Sequence, residues 1–217
     1  QETMLPHRLP AFDNQGLSNT LLGLGNMDYP HHNQVKTVAN ELLKPHRFEE
    51  LKDKGCIQLT HTVLALGNLR VQKCEAILDT ISSALLKHGI RSVPSVGLVF
   101  TATGMAKCNY KNEKLFGALL HEVFRREQTG DLRPQDLPMI LEAISSVGCG
   151  HIVSEFMLSG LRGTDSIGEY CLADLTRLLN GLKNTNAMTG RLLRDKIKRR
   201  IAKLTKQKKG VFFVEME

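Results

Sequence analysis

The densest concentration of reactive or binding groups in the 217-residue sequence is a run of cations near its C-terminal end. It comprises Arg191, Arg194, Lys196, Lys198, Arg199, Arg200, Lys203, Lys206, Lys208 and Lys209, opposed within the run by Asp195 alone. Positions 1–190 carry 19 basic and 19 acidic residues, so the whole formal net charge of +7 arises beyond residue 190. Leu193, Ile197, Ile201 and Leu204 recur at helical spacing inside the same run. The pattern predicts a basic helix over 191–209, anchored on one side and cationic over much of the rest. Such a strip would hold Lys and Arg against a phosphate backbone, supplying charge without reading bases. The plain alternative is a solvated helix face. Arg70 and Lys107 are two further candidates to line the edge of an RNA-binding groove.

Other arrangements lack the partners that their chemistry needs. His31 and His32 are adjacent, so their side chains diverge, and no second acidic or histidine pair stands at ligand spacing. No metal and no cofactor is expected. His61, His121 and His151 have no nucleophile or carboxylate at fixed spacing, and Glu113, Glu122 and Glu142 read as solvent-facing. Gly23-Leu24-Gly25 lies within a helical pattern, where it is too weak to cradle a dinucleotide, and no phosphate-binding loop ends in Lys-Ser or Lys-Thr. No kinase signature set is present. The expectation is a chain that is not an enzyme. Tyr29, Phe48 and Tyr110 stand away from the apolar stripes and are the candidates for stacking on bases.

The elements that would position these groups repeat. Leu64-Ala65-Leu66-Gly67-Asn68-Leu69 restates Leu22-Gly23-Leu24-Gly25-Asn26-Met27, with weaker echoes around Ala102, Ala143 and Asn180. Anchoring on Gly23, Ala65, Ala102, Ala143 and Asn180 gives steps of 37–42 residues, the size of a helix-pair repeat. First helices carry stripes such as Leu17, Leu21, Leu24 and Leu59, Val63, Leu66. In the third unit the stripe reads Val96, Val99, Phe100, Thr103. Partner helices carry stripes such as Val35, Val38, Leu42 and Cys74, Ile77, Leu78, Ile81, with Val153, Phe156 and Met157 in the fourth unit. Neither helix of a pair buries its stripe alone, so stacked neighbours must supply the cover. Small residues at the anchors fit close packing of backbones.

The fold class expected is all-α, an α-solenoid of about five helix pairs. An extended N-terminal arm would occupy 1–14, the helical-repeat domain 15–209 and a strand-like tail 210–217. Lys44 to Gly55 reads as a solvated short helix. No apolar run approaches the length of a membrane span. Five scattered cysteines, with no close pair in sequence, fit a reducing compartment. The start at Gln1 suggests an upstream segment such as a removed transit peptide.

At Gln15-Gly16-Leu17-Ser18-Asn19-Thr20-Leu21-Leu22-Gly23-Leu24-Gly25 the chain resembles the first-helix signature of the octotricopeptide and heptatricopeptide repeats, with the related helical arrays of FAST-kinase-like proteins. Pro134-Gln135-Asp136-Leu137 restates the family's Pro-Gln-x-Leu opening in the fourth unit, although Ser-Asn is replaced by Pro138-Met139. The resemblance implies RNA binding in the mitochondrial matrix. The partners it implies are RNA, ribosomal RNA foremost, and other proteins of a mitochondrial ribosome or RNA-processing assembly. The rival is a protein-interaction scaffold of the armadillo or HEAT kind, with the basic tail meeting acidic protein.

Overall fold

The computed structural model describes residues 7–53, 56–153, 165–168, 170–185 and 188–214, except for the side chains of 52, 53, 165, 166, 189 and 207–214. Among these residues every regular element is a helix. In chain order they are α1 (Asn14–Asn26), α2 (His32–Leu42), α3 (Pro45–Asp53), α4 (Ile57–Asn68), α5 (Glu75–His88), α6 (Ser95–Lys107), α7 (Glu113–Thr129), α8 (Asp136–Ser146), α9 (Leu172–Gly181) and α10 (Met188–Val214). Short 3₁₀ turns lie at Leu9–Ala11, Ile90–Ser92, Gly150–Ile152 and Asp165–Gly168. The chain divides into two compact units, 1–122 and 123–217, with the boundary inside α7.

In the first unit α1 packs on α2 and on α4, and α4 packs on α6. Leu17, Leu21, Leu24, Leu59, Val63 and Leu66 are buried there as their spacing requires. Contact between α4 and α6 is set by glycine. A Cβ at Gly67 would meet backbone atoms of Gly104 at 2.8 Å or less, and one at Gly104 would meet Leu64 N at 2.9 Å. Gly25 lies against Ala65 in the same way, where a Cβ would fall 2.8 Å from the Ala65 Cα. Gly23, the sequence anchor of the first unit, has nothing within 4 Å of the equivalent position. The packing residue is thus two positions further on, so the predicted reason holds but the predicted residue does not.

The ends of the first helices carry a repeated device. Asp28 (φ 53°), Arg70 (φ 48°), Asn109 (φ 52°) and Gly148 (φ 78°) take left-handed conformations, at intervals of 42, 39 and 39 residues. The next amide in each case turns back onto the helix. Tyr29, Val71, Tyr110 and Cys149 donate to the carbonyls of Leu24, Leu66, Met105 and Ile144 at 3.0–3.2 Å. This register aligns Gly23, Ala65, Gly104 and Ala143, which moves the third anchor from Ala102 to Gly104. The third apolar stripe moves with it. Leu98, Val99, Ala102 and Met105 are buried, whereas Val96, Phe100 and Thr103 are half-exposed. That helix is apolar on nearly every side, so period alone does not choose its buried face.

Residues 1–6 lie outside the description, and the rest of the predicted extended arm is a turn held by a buried guanidinium. Arg47 donates to the carbonyls of Phe12 (2.7 Å), Pro10 (3.1 Å) and Leu9 (3.3 Å), and to Asn14 Oδ1 and Glu41 Oε1. Arg47 and Glu41 are both nearly inaccessible, so α3 is no solvated connector. Glu122 is also buried, with Arg91 Nε 4.0 Å away, which corrects its solvent-facing reading.

In the second unit α8 packs on α9 and α9 on α10. A Cβ at Gly181 would meet Leu141 at 2.7 Å, so close backbone approach recurs there. Asp136, fully buried at the start of α8, is held by the Arg133 guanidinium at 2.8 Å. The proposed partner stripe of Val153, Phe156 and Met157 falls mostly outside the described residues. Gly210 to Val214, read as strand-like, continue α10 instead, because extending a helix that is already nucleated is cheap. Residues 215–217 are outside the description.

Two tests follow from this packing. Gly23→Ala should raise thermal stability, with helix propensity contributing up to about 1 kcal/mol, whereas Gly67→Ala should lower it by about 1–3 kcal/mol. Equal effects in calorimetry would sink the close-approach argument. Burial pushes the Glu41 carboxyl up, but hydrogen bonds and charge from Lys44 and Arg47 outweigh it and hold the group below its ordinary 4.5. The stability it contributes is therefore complete above pH 4.5 and lost as pH falls through the lower folded value. Glu41→Gln should cost about 3 kcal/mol at neutral pH, a gap that narrows in acid.

Candidate nucleic-acid interface

Helix α10 sorts its cations by helical geometry. Leu193 and Ile197 are buried, with Ile201 and Leu204 half-buried behind them, and these hold the helix to its unit. Arg191, Arg194 and Lys198 flank that stripe on one side. Lys196, Arg199, Arg200 and Lys203 flank it on the other, at i, i+3, i+4 and i+7. Arg191, Lys196, Lys198, Arg199, Lys203 and Lys206 are exposed, so most of the predicted strip faces water. Lys208 and Lys209 lie on the helix backbone, and their side chains are outside the description.

Two of the cations have intramolecular tasks. Arg194 Nη1 donates to the carbonyls of Leu182 (2.6 Å) and Thr185 (3.2 Å) and to Thr185 Oγ1 (3.1 Å), closing the C-terminal end of α9. Arg200 Nη2 donates to the Gly168 carbonyl at 3.1 Å. That contact fixes its guanidinium, while its Nε is shielded from water and has no hydrogen-bond partner among the described residues. Ile167 and Gly168 face Lys196, Arg199, Arg200 and Lys203 across an open groove of about 350 Å³. Nothing in the sequence marks this juxtaposition, because Gly168 and Arg200 are 32 residues apart and the intervening chain has no fixed spacing. On the groove side of α10, the exposed Met188 and Leu192 precede Lys196 by two and one helical turns.

The other predicted residues fall in the first unit. Arg70 is exposed at the left-handed end of α4, and Lys107 Nζ, also exposed, donates to Asn68 Oδ1 at 2.6 Å. Both sit at C-terminal ends of neighbouring first helices. The half-exposed face running back from them carries His61 against Phe100, with ring centroids 5.8 Å apart. Burial lowers the His61 pKa and keeps the ring neutral near pH 7.

The predicted stacking residues are engaged elsewhere. Tyr110 is buried and bonded to Asp79, Tyr29 is half-buried and donates to Gln34 Oε1, and Phe48 is half-buried and edge-on to His88. The fold also brings together Cys74 and Cys108, at 3.9 Å between sulfurs, a pair hidden by their 34-residue separation. In the second unit Asn180 Nδ2 donates to Glu142 Oε1 across α8 and α9 at 2.9 Å. The α4 to α6 and α8 to α9 contacts are thus each bridged by a polar pair.

Comparison with family models, with curated proteins and with solved structures returned no match.

The division of labour within the strip is testable. Arg194→Ala should lower stability by about 1–2 kcal/mol through the opened end of α9, while Lys198→Gln should change it by less than about 0.5 kcal/mol. Equal denaturation midpoints for the two variants would remove the structural role assigned to Arg194.

Proposed function

We propose that the chain is a non-catalytic RNA-binding helical-repeat protein, and that α10 is its principal phosphate-contacting element. The observation that carries this reading is the array of exposed cations on a single anchored helix, opposed along its length by Asp195 alone among the described side chains. Each cation laid along a phosphate backbone releases a condensed counterion, so affinity comes from charge and falls with salt. With the proposed stacking aromatics engaged elsewhere, contacts to phosphate and sugar would outweigh contacts to bases. Arg70 and Lys107 would supply secondary phosphate contacts from the first unit.

The close-packed first helices and their recurring left-handed ends support a helix-pair repeat, and the reading extends this to an α-solenoid of about five pairs. The resemblance to octotricopeptide and heptatricopeptide repeats suggests a mitochondrial setting and a ribonucleoprotein assembly, with ribosomal RNA as the first candidate partner. The scaffold reading draws on the half-exposed apolar residues Leu64, Val96 and Phe100 along α4 and α6, a face suited to protein contact.

The experiment is RNA affinity of the purified chain at about 50 and about 200 mM salt. Binding should fall by roughly two to three orders of magnitude over that range. Replacing Arg191, Lys198, Arg199 and Lys203 together with Glu should abolish both the binding and its salt slope. Salt-insensitive binding, or binding untouched by the reversal, would favour the protein scaffold.

A further inference from the structure

The cations on the groove side of α10 are arranged for more than a diffuse field. Lys196 pairs with Arg199 and Arg200, and Lys203 pairs with the same two residues, always at three- or four-residue spacing. Like charges at those separations destabilise a helix. No ion pair relieves them among the described residues, and no carboxylate of those residues lines the groove; Glu169 lies outside the description. A solvated face would normally intersperse acids at i±4 to offset such repulsion; here Asp195, four residues before Arg199, is the single acid so placed, and Lys196, Arg200 and Lys203 have none.

Arg200 adds direction. Its Nη2 is committed to the Gly168 carbonyl, so the planar guanidinium is held at the groove. A planar, preorientated guanidinium flanked by mobile ammonium groups is the donor set that suits a tetrahedral oxyanion. The groove's volume of about 350 Å³ leaves room for such an anion together with bound water.

We propose that the groove between Ile167-Gly168 and Lys196, Arg199, Arg200 and Lys203 seats one phosphate group. Arg200 orientates the phosphate, Lys196 and Lys203 neutralise it, and Arg191 and Lys198 on the opposite flank take no part. The seat itself follows from the groove; that its natural occupant belongs to RNA rests on the functional reading above. A backbone phosphodiester and a terminal phosphate present the same oxygens, so the two sources are separated by experiment.

The test uses the full chain and two double variants of equal charge change, Lys196→Gln/Lys203→Gln in the groove and Arg191→Gln/Lys198→Gln opposite it. All four positions are exposed, so folding is preserved. Titration with inorganic pyrophosphate should show affinity at least about tenfold weaker in the groove variant and within about threefold of wild type in the control. Equal losses in the two variants, or no pyrophosphate binding by the wild type, would overturn the seat.

The same proteins are then titrated with one oligoribonucleotide bearing either a 5′-phosphate or a 5′-hydroxyl. A groove-dependent preference for the phosphorylated form assigns the seat to a terminal phosphate, and equal groove-dependent binding of both assigns it to the backbone. RNA binding weakened equally by both variants would overturn the groove as the RNA phosphate's seat and leave the RNA reading standing. Pyrophosphate binding in the groove without any RNA binding would do the reverse.

Discussion

The approach of α4 to α6 through Gly67 and Gly104 is the constraint on which the first unit depends. No side chain can stand between these two helices at the crossing, because even a methyl group would overlap backbone atoms. Dispersion contacts fall off steeply with separation, so this proximity strengthens every pair of atoms along the seam. It also brings the ends of the first helices side by side, which is why Asn68 can accept from Lys107 and why Cys74 and Cys108 touch. A small-residue crossing and a polar bridge recur where α8 meets α9, at Gly181 and at Glu142 with Asn180.

Much of this was legible in the sequence, and what was not has definite physical causes. The amphipathic stripes of α1, α2, α4 and α5 announced their buried faces because polar residues interrupt them on the far side. Helix α6 did not, since Val96, Phe100 and Thr103 are scarcely more polar than the face that is buried. The small-residue rule identified the type of contact but placed it at Gly23 instead of Gly25, a distinction made by the neighbour's backbone and invisible in the chain's own pattern. Charged residues misled most where they are buried. Arg47, Glu41, Glu122 and Asp136 resemble surface residues until their partners, some of them over 30 positions away, are known.

The candidate interface divides similarly. The presence of a cationic helix at the C-terminal end was plain from composition and period together. The assignment of tasks along it was hidden, because Arg194 and Arg200 are distinguished from their neighbours by carbonyls at Leu182, Thr185 and Gly168 that belong to other elements. The described cations of the run thereby separate into structural anchors, a groove and an open flank. Fold and surface chemistry share one helix, and a single residue such as Arg200 serves both.

The crowding of positive charge along α10 gives dissolved ions two opposed effects. Screening weakens repulsion between neighbouring cations and so firms the helix, while the same screening weakens its hold on any polyanion. In dilute buffer the helix would be under greatest internal strain and most adhesive; in concentrated buffer it would be most rigid and least adhesive. A bound polyanion resolves the conflict by acting as its own counterion cloud, so occupancy and order in this segment should rise together.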